Sequence, residues 1–141
     1  MQVSEERNLS GADEQVMSRA PVLLVEDDEA LGMAVARYLQ SAGYTVHFVS
    51  EREQAEALLA HNKYSLVMTD LALTRVGFAG LSVLEAVNAS CSRPKVLVLT
   101  GHATPDVAVT VGAIGVDAFV RKPITLRELG HVVDRLQGVQ R

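Results

Sequence analysis

From Pro21 onward, short apolar runs alternate along the chain with longer stretches in which apolar positions recur at every third or fourth residue. Five runs, "PVLLVE", "TVHFV", "SLVMTD", "KVLVLT" and "DAFVRK", are rich in β-branched residues and read as strands. Most are continuously apolar rather than alternating, the pattern of a parallel sheet covered on both faces. Between them, Leu31, Ala34, Val35, Tyr38, Leu39 and Ala42 follow a helical period over residues 28 to 42, and Gly43 supplies a stop. Ser50 followed by Glu53 predicts a capping box that opens a helix over residues 51 to 60 and buries Ala55, Leu58 and Leu59. Residues 80 to 89 put Leu81, Leu84 and either Val83 or Val87 on one face. Thr104 with Pro105 starts a further helix after the fourth strand. Thr125 with Glu128 boxes the last helix, whose apolar positions are Leu126, Leu129, Val133 and Leu136.

Five strand-then-helix units between residues 21 and 138 are too few for an eight-fold barrel, which takes roughly 250 residues. They predict an α/β domain with an open, doubly wound, five-stranded parallel sheet and five helices. Residues 1 to 20 are polar with a Ser10-Gly11 break and read as a leader, and residues 139 to 141 as a short tail.

Composition narrows the function classes. At 141 residues the chain fits one domain, and its 48 % apolar share is that of a soluble globular protein. No apolar stretch approaches the roughly 20 residues of a membrane helix. The N-terminus lacks a basic-then-apolar secretory pattern, and Cys91 is the sole cysteine, so a reducing cytoplasm is expected. The net charge of −4, with no basic cluster, three tyrosines, three phenylalanines and no tryptophan, argues against a nucleic-acid groove.

In doubly wound sheets the ligand crevice lies at the carboxyl ends of the strands, where strand order reverses. Strand one ends in Glu26-Asp27-Asp28, strand three in Asp70, strand four in Thr100-Gly101 and strand five in Arg121-Lys122-Pro123. An order of 2-1-3-4-5 makes these four strands neighbours. Each residue alone has an ordinary explanation: Asp27 and Asp28 as helix caps, Thr100 as a turn residue, Lys122 as a surface lysine. Their conjunction is far harder to explain in that way than any one of them. Three carboxylates brought together repel unless a cation lies between them. Mg²⁺ accepts one or two carboxylates, a carbonyl, waters and a phosphate oxygen. A lysine and a threonine opposite would bind the remaining phosphoryl oxygens, which makes Asp70 the candidate nucleophile of a phosphoryl transfer.

The stretches "VLLVEDDEAL", "LVMTDLAL", "VLVLTGHAT" and "VDAFVRKPI" resemble, in order and spacing, the receiver domain of two-component response regulators over residues 21 to 138. The resemblance implies a flavodoxin-like fold of the chemotaxis-regulator type with Asp70 as phosphoacceptor. It implies Mg²⁺ held by the acidic pair Asp27 and Asp28, by Asp70 and by the backbone carbonyl of Ala72. It further implies that Thr100 bonds the phosphoryl group, that Phe119 changes rotamer with it, that Lys122 pairs with the phosphate and that Lys122-Pro123 is cis. The partners it implies are a sensor histidine kinase or a histidine phosphotransfer protein as donor, and a downstream protein that reads a face made by the helix after strand four, strand five and the last helix. A second copy of the chain, paired through Arg121, Arg127 and Arg135, is an additional candidate partner. Such a domain is not an enzyme beyond catalysing its own phosphorylation and slow dephosphorylation.

Several positions depart from the family pattern. Where a proline and an Asp-Gly pair usually follow the acceptor, this chain has Thr74, Gly77 and Phe78, and Gly80 takes the later glycine's place. The loop over residues 74 to 80 is thus about two residues longer than usual and is expected to alter recognition of the phosphodonor protein. Ala72 and His102 occupy the positions that set how fast the acyl phosphate hydrolyses, and an alanine there cannot hold an attacking water, so dephosphorylation should not be especially fast. The expected organisation is a stand-alone receiver, the other option being a piece of a larger regulator or hybrid kinase. A phosphatase of the haloacid dehalogenase type would need a second acid where "DLALT" has Ala72. A phosphorylation-independent interaction module with a structural acidic pocket is the stronger alternative.

Overall fold

The computed structural model describes residues 19–70, 80–90, 93–101 and 115–141. Five strands, β1 (Val22–Val25), β2 (Val46–Val49), β3 (Leu66–Asp70), β4 (Lys95–Thr100) and β5 (Ala118–Arg121), form one parallel sheet in the order β2-β1-β3-β4-β5. This is the flavodoxin-like topology expected from the strand runs. Burial follows position in the sheet: β1 and β3 are wholly buried and β4 is buried except for Lys95, whereas the edge strands β2 and β5 are half-exposed.

Four helices cover the sheet among the described residues: α1 (Glu29–Ser41), α2 (Arg52–His61), α3 (Gly80–Ala89) and α4 (Leu126–Gln137). Successive strand residues face opposite layers. Leu24, Leu66, Met68, Leu97 and Leu99 form one core with Val35 and Leu39 of α1 and Leu129 and Val133 of α4. Leu23, Val25, Val67, Val96 and Val98 form the other with Ala55 and Leu59 of α2 and Val83, Leu84 and Val87 of α3. The fifth helix expected from Thr104 and Pro105 lies outside the described residues, as do the first 18 residues of the leader expected over residues 1 to 20, residues 71 to 79 of the loop after β3, and Cys91.

The helix ends show which local signals act. Asp28 accepts the Leu31 N–H and caps α1. Thr125 and Glu128 form the expected reciprocal box at the start of α4. Gly138 closes α4 with a φ of 69°, and the Val139 N–H reaches back to the Asp134 carbonyl at 2.8 Å while Val139 itself is buried. The box expected from Ser50 and Glu53 does not form. The residue flanking α2 is Glu51, whose side chain makes no capping bond, so Glu53 falls one position short of the box and pairs with Arg52 instead.

Candidate functional site

Because the strands are parallel and adjacent, their carboxyl ends open onto one crevice. Asp70 is the last residue of β3 and is only 6 % exposed. Thr100 ends β4, is fully buried and is in register with Arg121 of β5. Its carbonyl accepts the Lys122 N–H at 2.9 Å, which fixes the backbone of Lys122 beside β4. The Lys122–Pro123 peptide that follows is cis. Phe119, in register with Val98, is half-buried against the core on the α2 and α3 side of the sheet.

Lys122 is the centre of the charge arrangement. Its Nζ donates to Asp70 Oδ2 at 2.7 Å and to Glu26 Oε1 at 2.8 Å. Burial works against its charge, but the hydrogen bonds and negative charges of Asp70 and Glu26 outweigh that penalty and hold the ammonium above its ordinary pKa. Glu26 is itself buried, and its Oε2 accepts the Asp28 N–H at 3.1 Å. Desolvation pushes its carboxyl above the usual carboxylate range despite the lysine and the backbone donor. One ammonium thus faces two buried carboxylates.

Glu26, Asp27 and Asp70 each offer an oxygen within 4.8 Å of the others, an all-oxygen donor set of the hard type that Mg²⁺ takes. Asp27 is exposed at its mouth and has no hydrogen bond or ion pair among the described residues. Asp28, expected as half of the acidic pair, does not belong to this group; its carboxylate is spent on the start of α1, 3.1 Å from the Leu31 N–H. In that cluster it is Glu26 that stands beside Asp27. The sequence offered one signal for this: Glu26 directly follows the buried run "VLLV" and so still lies under the sheet's cover, whereas Asp28 is one residue from the helix. The Ala72 carbonyl and His102 lie outside the described residues.

Comparison with known proteins shows what the chain resembles. Residues 22–134 match the family model described as the response regulator receiver domain. The chain is 33 % identical over 122 residues to the response regulator RppA of Synechocystis sp., a match covering 85 % of this chain and 50 % of that protein. It is 29 % identical to the non-phosphorylated HemR receiver domain of Leptospira biflexa, with a TM-score of 0.77 over 87 % of this chain and 98 % of that one. A Burkholderia pseudomallei response regulator, solved with a phosphorylated aspartic acid, a calcium ion and citrate, is 25 % identical with a TM-score of 0.69, covering 82 % of this chain and 71 % of that one. The chain spans about half the length of the curated relatives it matches first. No described helix is long and apolar enough to cross a membrane.

Proposed function

This chain belongs to the response regulator receiver domain family, and from that premise we propose that Asp70 is the phosphoacceptor of a two-component relay. The observation that carries the reading is the buried Asp70 carboxylate held 2.7 Å from Lys122 Nζ and within 4.8 Å of oxygens of Asp27 and Glu26, at the open ends of the central strands. The Burkholderia relative supports it, since that protein was solved with a phosphorylated aspartic acid and a divalent ion.

The donor is the phosphohistidine of a sensor histidine kinase or of a histidine phosphotransfer protein. An Asp70 oxygen forms the new O–P bond in line as the donor's P–N bond breaks, and the leaving imidazole keeps the electron pair. When bound there, Mg²⁺ would supply charge neutralisation for the transfer. Asp27 and Asp70, with the Ala72 carbonyl, would hold it. Lys122 then exchanges Asp70 Oδ2 for a phosphoryl oxygen. Thr100, on the adjacent strand, supplies a hydroxyl to another, and its inward shift opens space that Phe119 fills. The consequence is a changed surface around β5 and α4, read by a downstream protein or by a second copy of the chain through Arg121, Arg127 and Arg135.

Incubation with Mg²⁺ and a small phosphoramidate donor tests this by intact mass. One added phosphate is expected, lost in Asp70→Ala. No uptake from that donor or from a cognate kinase would leave the site to a phosphorylation-independent interaction module.

A further inference from the structure

Arg127, His131 and Arg135 recur at every fourth position of α4 and are all exposed, so they share one face of the helix. The two acids beside them are engaged elsewhere. Glu128 Oε1 accepts from the Thr125 N–H at 3.2 Å and from its hydroxyl at 3.0 Å, and Asp134 accepts from Tyr44 and Arg141, each at 2.7 Å. Arg127, His131 and Arg135 have no ion pair among the described residues. The result is a basic stripe about 12 Å long on the outside of α4.

The N-terminal segment enters the domain at the foot of this helix. Ser65 Oγ donates to the Ala20 carbonyl at 2.6 Å and accepts from Gln137 Nε2 at 2.8 Å, which ties residue 20 to the last turn of α4. A guanidinium nitrogen of Arg19 lies 3.6 Å from where a Cβ on Gly138 would sit, beside the cap that closes α4. The residues before Arg19 carry the acids Glu5, Glu6, Asp13 and Glu14 against one base, Arg7. Glu14 is five residues from Arg19, a reach of up to about 18 Å, which exceeds the length of the stripe.

We propose that the acidic stretch from Glu5 to Glu14 docks along the Arg127, His131 and Arg135 face of α4 and covers it until a partner displaces it. Exposed ion pairs are individually weak. The short link to Arg19 compensates, because tethering gives the two charged segments an effective concentration on the order of millimolar. Such a strap is held by charge and is therefore weakened by salt. It occupies the surface on which a downstream protein or a second copy would read the phosphorylated site, so it competes with that reader. This consequence rests on the phosphoacceptor reading above, whereas the docking itself does not.

Paramagnetic broadening in the full chain, with no phosphodonor present, tests the docking. A nitroxide on Ser10→Cys, in a Cys91→Ser background, is expected to remove most of the amide signal intensity from Arg127 to Arg135 at low salt. The signals should return at about 1 M salt, where screening acts within about 3 Å. Arg127→Glu with Arg135→Glu should abolish the broadening, and reversing Glu5, Glu6, Asp13 and Glu14 to lysine in that same chain should restore it. Broadening centred on another face, or indifferent to these reversals, would overturn the proposal. So would broadening seen only between a nitroxide-labelled chain and a separate isotope-labelled one, which would make the occupant a second copy. Phosphate uptake at Asp70 is scored separately by intact mass, so failure of either reading leaves the other decided.

Discussion

Asp70 and Lys122, 52 positions apart in sequence, meet at 2.7 Å inside the crevice, and the same ammonium reaches Glu26. Their side chains are 9 % and 22 % exposed, so this pair is largely withdrawn from water. Removing one partner of such a pair leaves the other charged and desolvated. Lys122→Met is therefore expected to destabilise the metal-free protein by about 1–3 kcal/mol, below the range for a fully buried pair because Lys122 keeps some solvent. Added Mg²⁺, which the two stranded carboxylates attract more strongly, should restore more stability to the variant than to the wild type. Urea unfolding with and without Mg²⁺ measures both effects; an equal response to Mg²⁺ in the two proteins contradicts the argument.

Glu26 behaves in the opposite sense. Its carboxyl is raised above its ordinary pKa by burial, so between that ordinary value and the raised one the native state binds more protons than the unfolded chain. Stability then falls as pH rises through this window, and the penalty is fully present above the raised value. Glu26→Gln, which keeps the acceptor for Lys122 and removes the buried charge, should be more stable than the wild type above that window. The gap should shrink as pH falls into the acid window, where the wild-type carboxyl becomes neutral as well. Thermal unfolding of both proteins across that range checks it, and a gap that grows on acidification would sink the idea.

Adjacent Asp27 and Asp28 should separate cleanly by measurement. Asp28 caps α1 through the Leu31 N–H, so Asp28→Ala is expected to cost about 1 kcal/mol of stability and to leave Mg²⁺ affinity nearly unchanged. Asp27→Asn should do the reverse, with a clear loss of Mg²⁺ affinity and an unfolding midpoint close to the wild type. Calorimetric titration paired with denaturant unfolding of each variant decides the assignment. A loss of Mg²⁺ affinity in Asp28→Ala equal to that in Asp27→Asn would return Asp28 to the metal site.

These contrasts show what is legible in the chain. "VLLV" and "KVLVLT" mark the central strands because a sheet covered on both faces needs apolar residues at every position. That pattern placed Asp70, Thr100 and Lys122 on neighbouring strand ends despite their distance in sequence. The choice among Glu26, Asp27 and Asp28 was legible only in part: Glu26 directly follows the buried run, but the start of α1 decides which of the other acids turns toward the helix. The same one-residue uncertainty removes the box expected from Ser50 and Glu53 while the one from Thr125 and Glu128 forms. Glu26's engagement with Lys122 joins residues 96 positions apart and has no local signal at all.

Two helix glycines are expected to respond differently to alanine. A Cβ on Gly32 of α1 would collide with the tip of the Phe48 ring, which packs onto it from β2. One on Gly130 of α4 would lie 2.7 Å from Tyr38 Cε2, at the side of a partly exposed ring that can tilt away. Alanine gains about 1 kcal/mol over glycine in a helix, and overpacking costs about 1–3 kcal/mol. Gly32→Ala should be net destabilising and Gly130→Ala close to neutral. Unfolding midpoints in urea rank them, and a Gly130→Ala variant less stable than Gly32→Ala would contradict the packing argument.

The last prediction concerns the far side of α1. Tyr44 is buried, and its hydroxyl donates to Asp134 Oδ1 at 2.7 Å, while Arg141 Nε donates to Asp134 Oδ2 at 2.7 Å. Burial, together with the bond to Asp134 and its negative charge, pushes the phenol well above its ordinary pKa. At neutral pH, Tyr44→Phe should cost about 0.5–1.5 kcal/mol, the net value of one hydrogen bond, with Arg141 still paired to Asp134. Above about pH 10 the unfolded tyrosine loses its proton while the native one keeps it. The native state then binds more protons, so the wild type loses stability with rising pH through this group, and Tyr44→Phe does not. The difference between the two proteins should therefore narrow above pH 10, with the contribution of Lys122 cancelling because both carry it. Urea unfolding at neutral and alkaline pH measures the difference directly, and a gap independent of pH would show that Asp134 does not hold the phenol neutral.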